Sequence, residues 1–396
     1  MDHLAERTQR CGVRVWQAWI QQAQPLGSIG VARAAVALAD LRGPWKSPGV
    51  SLPATNVLNI GLMALSAGLA FLLPFEVFLV SYAVLGPLHY LTQISWLHER
   101  QYFLPQQRDW LLLAGLTVIH AALSLAAQAQ QSASLASLGT DLLLWCFCWA
   151  LIAASTTDRV LRGAGMLLCS FAVFFLHGQT VTTVLIAILL PTVLHVFVFT
   201  GVFVMHGAAR NRSLSGWVSF VVFLACGAAT VWAEVGNLGY RPSAYATQAY
   251  DGALTGMHMN LLHTLGLADG MAPTGPPNQH LFPFGSRAEL FENETSVRLG
   301  RFLAYIYTYH YLNWFSKTSV IRWHQVPRAR LALMVVLWVA SVLLYALDYG
   351  IGLRWLLLLS VGHVVLEFPL DWKTLLGLPR ELMGRNGGPG ARAGAR

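Results

Sequence analysis

The hydrophobic residues of this chain form long runs that are separated by short polar stretches. A helix needs about 20 residues, mostly apolar, to cross the hydrocarbon core of a bilayer. Nine runs predict such helices: Asn56–Pro74, Val77–Leu97, Trp110–Gln128, Asp141–Ser155, Leu161–Leu176, Val181–Met205, Trp217–Glu234, Leu331–Leu347 and Leu353–Phe368. Residues 300–317 predict a tenth helix, which is shorter and rich in aromatic residues. The pattern therefore predicts an all-α, polytopic integral membrane bundle of about ten transmembrane helices.

The composition agrees with this class. Of 396 residues, 55% are hydrophobic and only 11% are charged, whereas about 25% of the residues in a soluble domain are charged. So few charges cannot cover the surface of a soluble enzyme, and the hydrophobic fraction excludes a disordered chain. The basic residues are scattered through short connections and do not form one face, so we expect no nucleic-acid partner.

The distribution of positive charge predicts the orientation in the membrane. The net charge is +8, from 26 Lys and Arg against 18 Asp and Glu. With ten spans and a cytoplasmic N-terminus, all but five of the basic residues lie on the cytoplasmic side, as the positive-inside rule requires. The exceptions are Arg241, Arg287, Arg298, Arg301 and Arg354. We therefore predict an integral protein of the bacterial inner membrane with both termini in the cytoplasm.

The same pattern divides the chain into five segments. They are a cytoplasmic or interfacial amphipathic segment (1–55), transmembrane helices one to seven (56–235), an outer-face cap (236–299), helices eight to ten (300–372) and a cytoplasmic tail (373–396). The cap is predicted from its length, its aromatic residues and its DG, TGPPN and FPFG turn signals.

The histidines are the candidate functional residues. Placing an ionisable side chain within a bilayer costs free energy, so such a residue indicates a functional site. The predicted topology sorts them into two layers. The deeper layer, on four different spans, contains His89, His195, His310 and His363. It lies roughly 9–17 Å from the cytoplasmic surface, at about 1.5 Å of rise per residue. The shallower layer contains His98, His206 and His324.

These two layers predict a buried metal site. Glu367 follows His363 by four residues, so both side chains share one helix face, and we include it among the ligands. Gln93, Glu99 and Asn313 are predicted to orient the ligands. A single intramembrane histidine also serves as a hydrogen-bonding residue between helices, and His120 is interpreted in that way.

The predicted ligands and their depth suggest the reaction. Imidazole and carboxylate ligands suit iron, zinc, copper or manganese. A site within the bilayer favours a hydrophobic, lipid-like substrate such as an acyl chain, isoprenoid or carotenoid, surrounded by membrane lipids. Unactivated C–H or C=C bonds need an oxidant such as iron-activated O₂, so iron is the expected metal and O₂ the co-substrate. The chain has no nucleotide-binding glycine motif, so we expect an external electron-donor protein.

In these features the chain resembles the His-rich polytopic membrane oxygenases. This group includes the fatty-acid desaturase and hydroxylase families and the bacterial membrane dioxygenases that cleave β-carotene. The resemblance implies non-haem iron held by histidines from several helices, and oxygenase, hydroxylase or desaturase activity. The H-x-x-x-H and H-x-x-H-H boxes of the desaturases are absent. The resemblance therefore carries over a chemical class and no individual catalytic roles.

Two other classes remain open. The C-terminal half is also similar to the membrane-bound O-acyltransferases, in which an Asn or His precedes a His within an apolar helix. Asn313 or His324 followed by His363 has this order. There His363 acts as a general base that activates a hydroxyl group, with Glu367 orienting it. The third class is a transporter or proton-relay protein, because aligned histidines and carboxylates also pass protons across membranes.

Overall fold

The computed structural model describes residues 52–106, 108–235, 239–267, 290–317 and 326–383. Within these ranges the chain is helical and contains no strand, which confirms the all-α prediction. The predicted amphipathic segment lies almost entirely outside the described residues, as do His324 and the last part of the predicted tail.

The described residues form helices that alternate with short connections. The helices are α1 (Leu52–Leu72), α2 (Pro74–His98), α3 (Asp109–Gln130), α4 (Ala133–Ser155), α5 (Arg159–Leu176), α6 (Thr183–Asn211), α7 (Leu214–Trp232), α8 (Ala244–Ala249), α9 (Thr255–Thr264), α10 (Glu294–Ser316), α11 (Arg328–Leu347) and α12 (Tyr349–Leu382). In the described ranges, nine of these helices are long and apolar enough to cross a membrane, namely α1 to α7, α11 and α12. They correspond to the nine apolar runs and are compatible with an integral membrane protein.

Several helices begin at polar residues that cap them. Asp158 accepts a hydrogen bond from the backbone N–H of Leu161, and Asp348 accepts one from Ile351. Such side chains satisfy backbone donors that the first helical turn leaves unpaired. The caps therefore fix where the apolar runs begin as helices.

Helix α10 lies in the interior of the bundle, and its sequence is too polar for it to be one of the nine membrane-compatible helices. It covers the predicted range 300–317 except for its last residue, Lys317, and it begins earlier, at Glu294. Tyr305, Tyr309 and His310 on this helix are all buried, and it packs against α1, α2 and α7. Because protein surrounds most of this helix, it needs no continuous apolar face toward lipid, which explains its low hydropathy.

Helix α12 is longer than its apolar run. It begins at Tyr349 and continues past Phe368 to Leu382, with Pro369 and Pro379 inside it. The first ten residues of the segment predicted as a tail are thus helical. Because α12 packs against α3, α4, α6 and α11 as well as α2, polar residues beyond Phe368 remain inside the bundle.

Residues 239–267, the longer of the two described parts of the predicted cap, are anchored to the start of α2. Tyr240 Oη and the backbone N–H of Ser243 each donate a hydrogen bond of 2.8 Å to the Glu76 carboxylate. His258 is fully buried, and its Nε2 lies 3.0 Å from Ser296 Oγ on α10. These contacts hold the segment against the bundle.

Acidification is expected to loosen this segment through His258. Burial lowers the pKa of His258 from 6.5 to about 4, so the folded protein keeps this imidazole neutral. As the pH falls below 6.5, the unfolded segment takes up a proton that the folded segment does not take up until about pH 4. The stabilising contribution is therefore present above pH 6.5 and is lost on acidification toward pH 4. Hydrogen exchange of residues 239–267 at pH 7 and pH 5 measures this loss.

His258→Gln, which keeps a polar side chain but does not titrate, is expected to flatten this pH dependence. The matched control is His177→Gln, because His177 is half exposed. If hydrogen exchange of residues 239–267 in the His258→Gln protein changes with pH as much as in wild type, His258 is not the cause of the pH dependence.

Candidate functional site

Four histidines from four helices meet in the interior of the bundle. They are His89 of α2, His195 of α6, His310 of α10 and His363 of α12, and each is at most 8% exposed. Nε2 of His310 lies 3.1 Å from Nε2 of His89. The His195 ring centroid lies 5.2 Å from that of His310 and 5.1 Å from that of His363, and the His89 and His363 centroids are 5.5 Å apart. The structure thus brings together all four residues of the deeper predicted layer, which we call the histidine cluster.

Two carboxylates on α12 lie beside the cluster. Oε2 of Glu367 is 3.6 Å from Nε2 of His195, and Oδ2 of Asp371 is 4.0 Å from Nδ1 of the same ring. Glu367 was predicted as a ligand. Asp371 is not among the predicted ligands, because it follows the last apolar run, and a charged residue just beyond the end of a predicted span gives no signal of a buried site. Since α12 continues to Leu382, Asp371 is fully buried in the bundle.

Polar atoms without a hydrogen-bond partner are concentrated here. Within the described residues, the buried atoms of the site without one are His89 Nδ1, Gln93 Oε1, both ring nitrogens of His195, His363 Nδ1, Glu367 Oε2 and both oxygens of Asp371. Burying such an atom without a partner costs about 1–3 kcal/mol. A cluster of these atoms is expected where a bound ligand supplies the missing interactions.

Neighbouring side chains hold the rings in place. The Tyr90 ring stacks on His363 with a centroid distance of 4.1 Å, and Tyr90 Oη lies 2.8 Å from Tyr311 Oη. Gln93, predicted to orient a ligand, is buried on α2 one turn after His89, and its Oε1 has no hydrogen-bond partner. Asn313 is buried one turn after His310 on α10.

The shallower predicted layer has different neighbours. His98 Nδ1 lies 3.3 Å from Tyr102 Oη, and its ring packs against Trp110. His206 lies near Gly377 of α12. In an α-helix nine residues span half a turn more than two full turns. His98 therefore faces away from the side of α2 that carries His89.

Glu99, predicted to orient a ligand, instead forms an ion pair of 3.0 Å with Arg330 on α11. Across the described ranges, no contact joins Glu99, His98 or His206 to the histidine cluster.

Helix α6 is widened where it passes the cluster. Thr183–Phe199 is π-helical and contains Pro191, which cannot donate a backbone hydrogen bond. Directly after this segment, Thr200 Oγ1 lies 2.8 Å from Nδ1 of His310. Thr200 was not predicted as a site residue. Its type gives no signal, because a buried threonine in an apolar helix is usually a packing residue.

The spacing of one histidine pair is compatible with a shared metal ion. Two imidazole nitrogens bound to one ion at about 2.0–2.1 Å are about 2.9–3.4 Å apart, and the His89 and His310 nitrogens are 3.1 Å apart. In the described part of the chain, no three His, Cys, Asp or Glu side chains are already grouped around one position suited to a metal ion. An ion at this pair therefore requires side-chain rotation to bring in a third ligand.

Fold and site together define an all-helical protein, compatible with an integral membrane protein, that has a buried histidine and carboxylate cluster. Comparisons of the chain with protein-family models, curated proteins and solved structures found no match. Its function is therefore argued from the site.

Proposed function

We propose that this protein is a membrane-embedded, metal-dependent oxidoreductase of the oxygenase, hydroxylase or desaturase type. The observation that carries the proposal is the convergence of four buried histidines, with the Nε2 atoms of His89 and His310 3.1 Å apart and two buried carboxylates beside them. Two lone pairs at this distance repel each other unless a cation or a proton lies between them. The unpartnered donor atoms of His195, His363 and Glu367 supply further ligands.

The types of ligand atom limit which metal ions the site can bind. Nitrogen and carboxylate oxygen suit iron, manganese, zinc or copper, and no cysteine lies among the residues of the cluster. Iron is the metal we propose, because it activates O₂ for chemistry on unactivated C–H or C=C bonds. The proposed substrate is a lipid, isoprenoid or carotenoid, and the electrons come from an external donor protein.

We propose ten spans, with α10 as the eighth, and cytoplasmic termini in the bacterial inner membrane. With α10 included, basic residues collect at the end of the bundle that contains His98. They are Arg100, Arg108, Arg159, Arg210, Arg212, Arg328, Arg330, Lys373 and Arg380. The connections at the other end around Leu73, 131–132 and 177–179 contain no Lys or Arg. This asymmetry supports a cytoplasmic position for the His98 end.

A proton-relay protein is the second candidate. Thr200, His310 and His89 form one chain of hydrogen bonds, and Glu367 and Asp371 flank His195. Such a series can pass protons. The acyltransferase alternative uses Asn313 or His324 together with His363 and Glu367, and it gives no reason for the contact between His89 and His310.

Mass spectrometry of membrane lipids separates these classes. Cells that express the protein are expected to contain a lipid or isoprenoid that has gained oxygen or lost two hydrogens. Cells that express the Glu367→Gln variant are expected to lack this product, because the variant loses a carboxylate ligand. His120→Gln is the matched control, since His120 is a buried histidine outside the cluster that contacts the Gly139 carbonyl. Gain of an acyl group indicates the acyltransferase, and an unchanged lipid profile contradicts both enzymes and favours the relay.

A further inference from the structure

The Thr200 hydroxyl contacts a histidine on another helix. Buried threonines in helices usually bond to the carbonyl of the preceding turn, and Thr92, Thr117 and Thr192 do so here. Thr200 is 3% exposed, and its Oγ1 instead lies 2.8 Å from Nδ1 of His310 on another helix. This contact joins α6 to α10 at the histidine cluster.

The hydrogen bond limits how the His310 proton is placed. A neutral imidazole has one N–H and one lone pair. If Nδ1 carries the proton and donates it to Thr200 Oγ1, then Nε2 carries the lone pair. That lone pair faces Nε2 of His89 at 3.1 Å. Metal-binding histidines usually donate their second ring N–H in this way, which fixes both the tautomer and the ring orientation.

The widening of α6 explains why one helix supplies both His195 and Thr200. In an α-helix, residues five apart point about 140° away from each other. In a π-helix the hydrogen bonds join residues five apart, so such residues lie nearly one turn above each other. The π-helical segment ends at Phe199. The wider turn thus directs His195 and Thr200 toward the same site.

We infer that Thr200 is a positioning residue of the metal site. Its hydroxyl accepts a hydrogen bond from the Nδ1–H group of His310 and so directs the Nε2 lone pair of His310 at the ion shared with His89. The inference rests on the proposed metal site. It adds to that site a residue that binds no metal itself and acts through the tautomer of a ligand.

Cobalt titration of the purified full-length protein tests this role. Co²⁺ is the probe, because its visible absorption reports ligand binding, and the affinity is read from that signal. Thr200→Val keeps the shape of the side chain but removes the hydroxyl, and is expected to weaken Co²⁺ binding about 10- to 100-fold. Thr200→Ser keeps the hydroxyl and is expected to restore most of the affinity. Thr192→Val is the matched control, because the Thr192 hydroxyl bonds only to carbonyls of its own helix, and it is expected to bind like wild type.

The outcomes separate this inference from the proposed function. If wild type binds no Co²⁺, the proposed metal site fails, and the role of Thr200 fails with it. If wild type binds and Thr200→Val binds equally well, the metal site stands and the role of Thr200 is wrong. If Thr200→Ser does not restore Co²⁺ binding, the proposed role of Thr200 is also wrong, because the hydroxyl group then does not determine the affinity. Thr200→Ala replaces Thr200→Val if the latter does not fold, as judged by its elution profile in detergent.

Discussion

His89→Ala and His310→Ala are each expected to remove the bound metal from the purified protein. Each substitution deletes one of the two imidazole nitrogens that face each other at 3.1 Å. Loss of a residue that only orients a ligand already weakens metal binding about 10- to 100-fold, so loss of a ligand is expected to cost more. Elemental analysis of protein purified without added metal measures the metal content per chain. Wild type is expected to contain about one or two transition-metal ions, with iron predominant.

The control for this prediction is His120→Ala. His120 is also a buried histidine in a membrane-compatible helix, but its Nδ1 contacts the Gly139 carbonyl at 2.7 Å and no member of the cluster. This variant is expected to keep the full metal content. Metal-free wild-type protein contradicts the proposed oxidoreductase, while equal losses in all three variants indicate general unfolding and contradict a specific role for His89 and His310.

The deeper histidine layer was predictable from the sequence because two regular quantities determine it. The rise of a helix is constant, and positive charge predicts which end of each run lies on which side. Counting residues from those ends therefore places His89, His195, His310 and His363 at one depth without any knowledge of packing. Depth alone does not select the face of a helix, so the count could not show that His98 lies on the opposite face of α2 from His89.

Other site residues could not be predicted, for physical reasons. Asp371 follows the last apolar residues of its run, and only the packing of α12 against its neighbours shows that the helix continues there as a buried element. Thr200 joins the site because α6 is π-helical, and periodicity analysis assumes an α-helical turn. Helix α10 was detectable only as a short aromatic run, because a helix enclosed by protein loses the apolar signal that lipid contact imposes.

The largest expected effect on stability lies away from the cluster, at the buried ion pair between Arg162 of α5 and Asp109 of α3. The guanidinium donates to both carboxylate oxygens, at 3.1 and 2.8 Å, and also to the side chain of Gln106 and the carbonyl of Thr156. Both side chains of the pair are less than 10% exposed. Arg162→Met removes these donors and leaves the Asp109 carboxylate buried without its counter-charge. Breaking a buried pair from one side costs about 3–5 kcal/mol, so we expect a loss of this size in the free energy of unfolding, measured by SDS titration in mixed micelles.

Arg162→Met combined with Asp109→Asn distinguishes the lost counter-charge from lost packing. The double variant has no uncompensated buried charge, so it is expected to recover a large part of the stability that the single variant loses. Arg298→Met is the matched control, because Arg298 pairs with Glu294 one turn away at a more exposed position. The Arg298–Glu294 pair is expected to contribute less than about 0.5 kcal/mol to the free energy of unfolding. A small effect of Arg162→Met, similar to that of Arg298→Met, contradicts the assignment, because a carboxylate that tolerates the loss of this counter-charge is already hydrated.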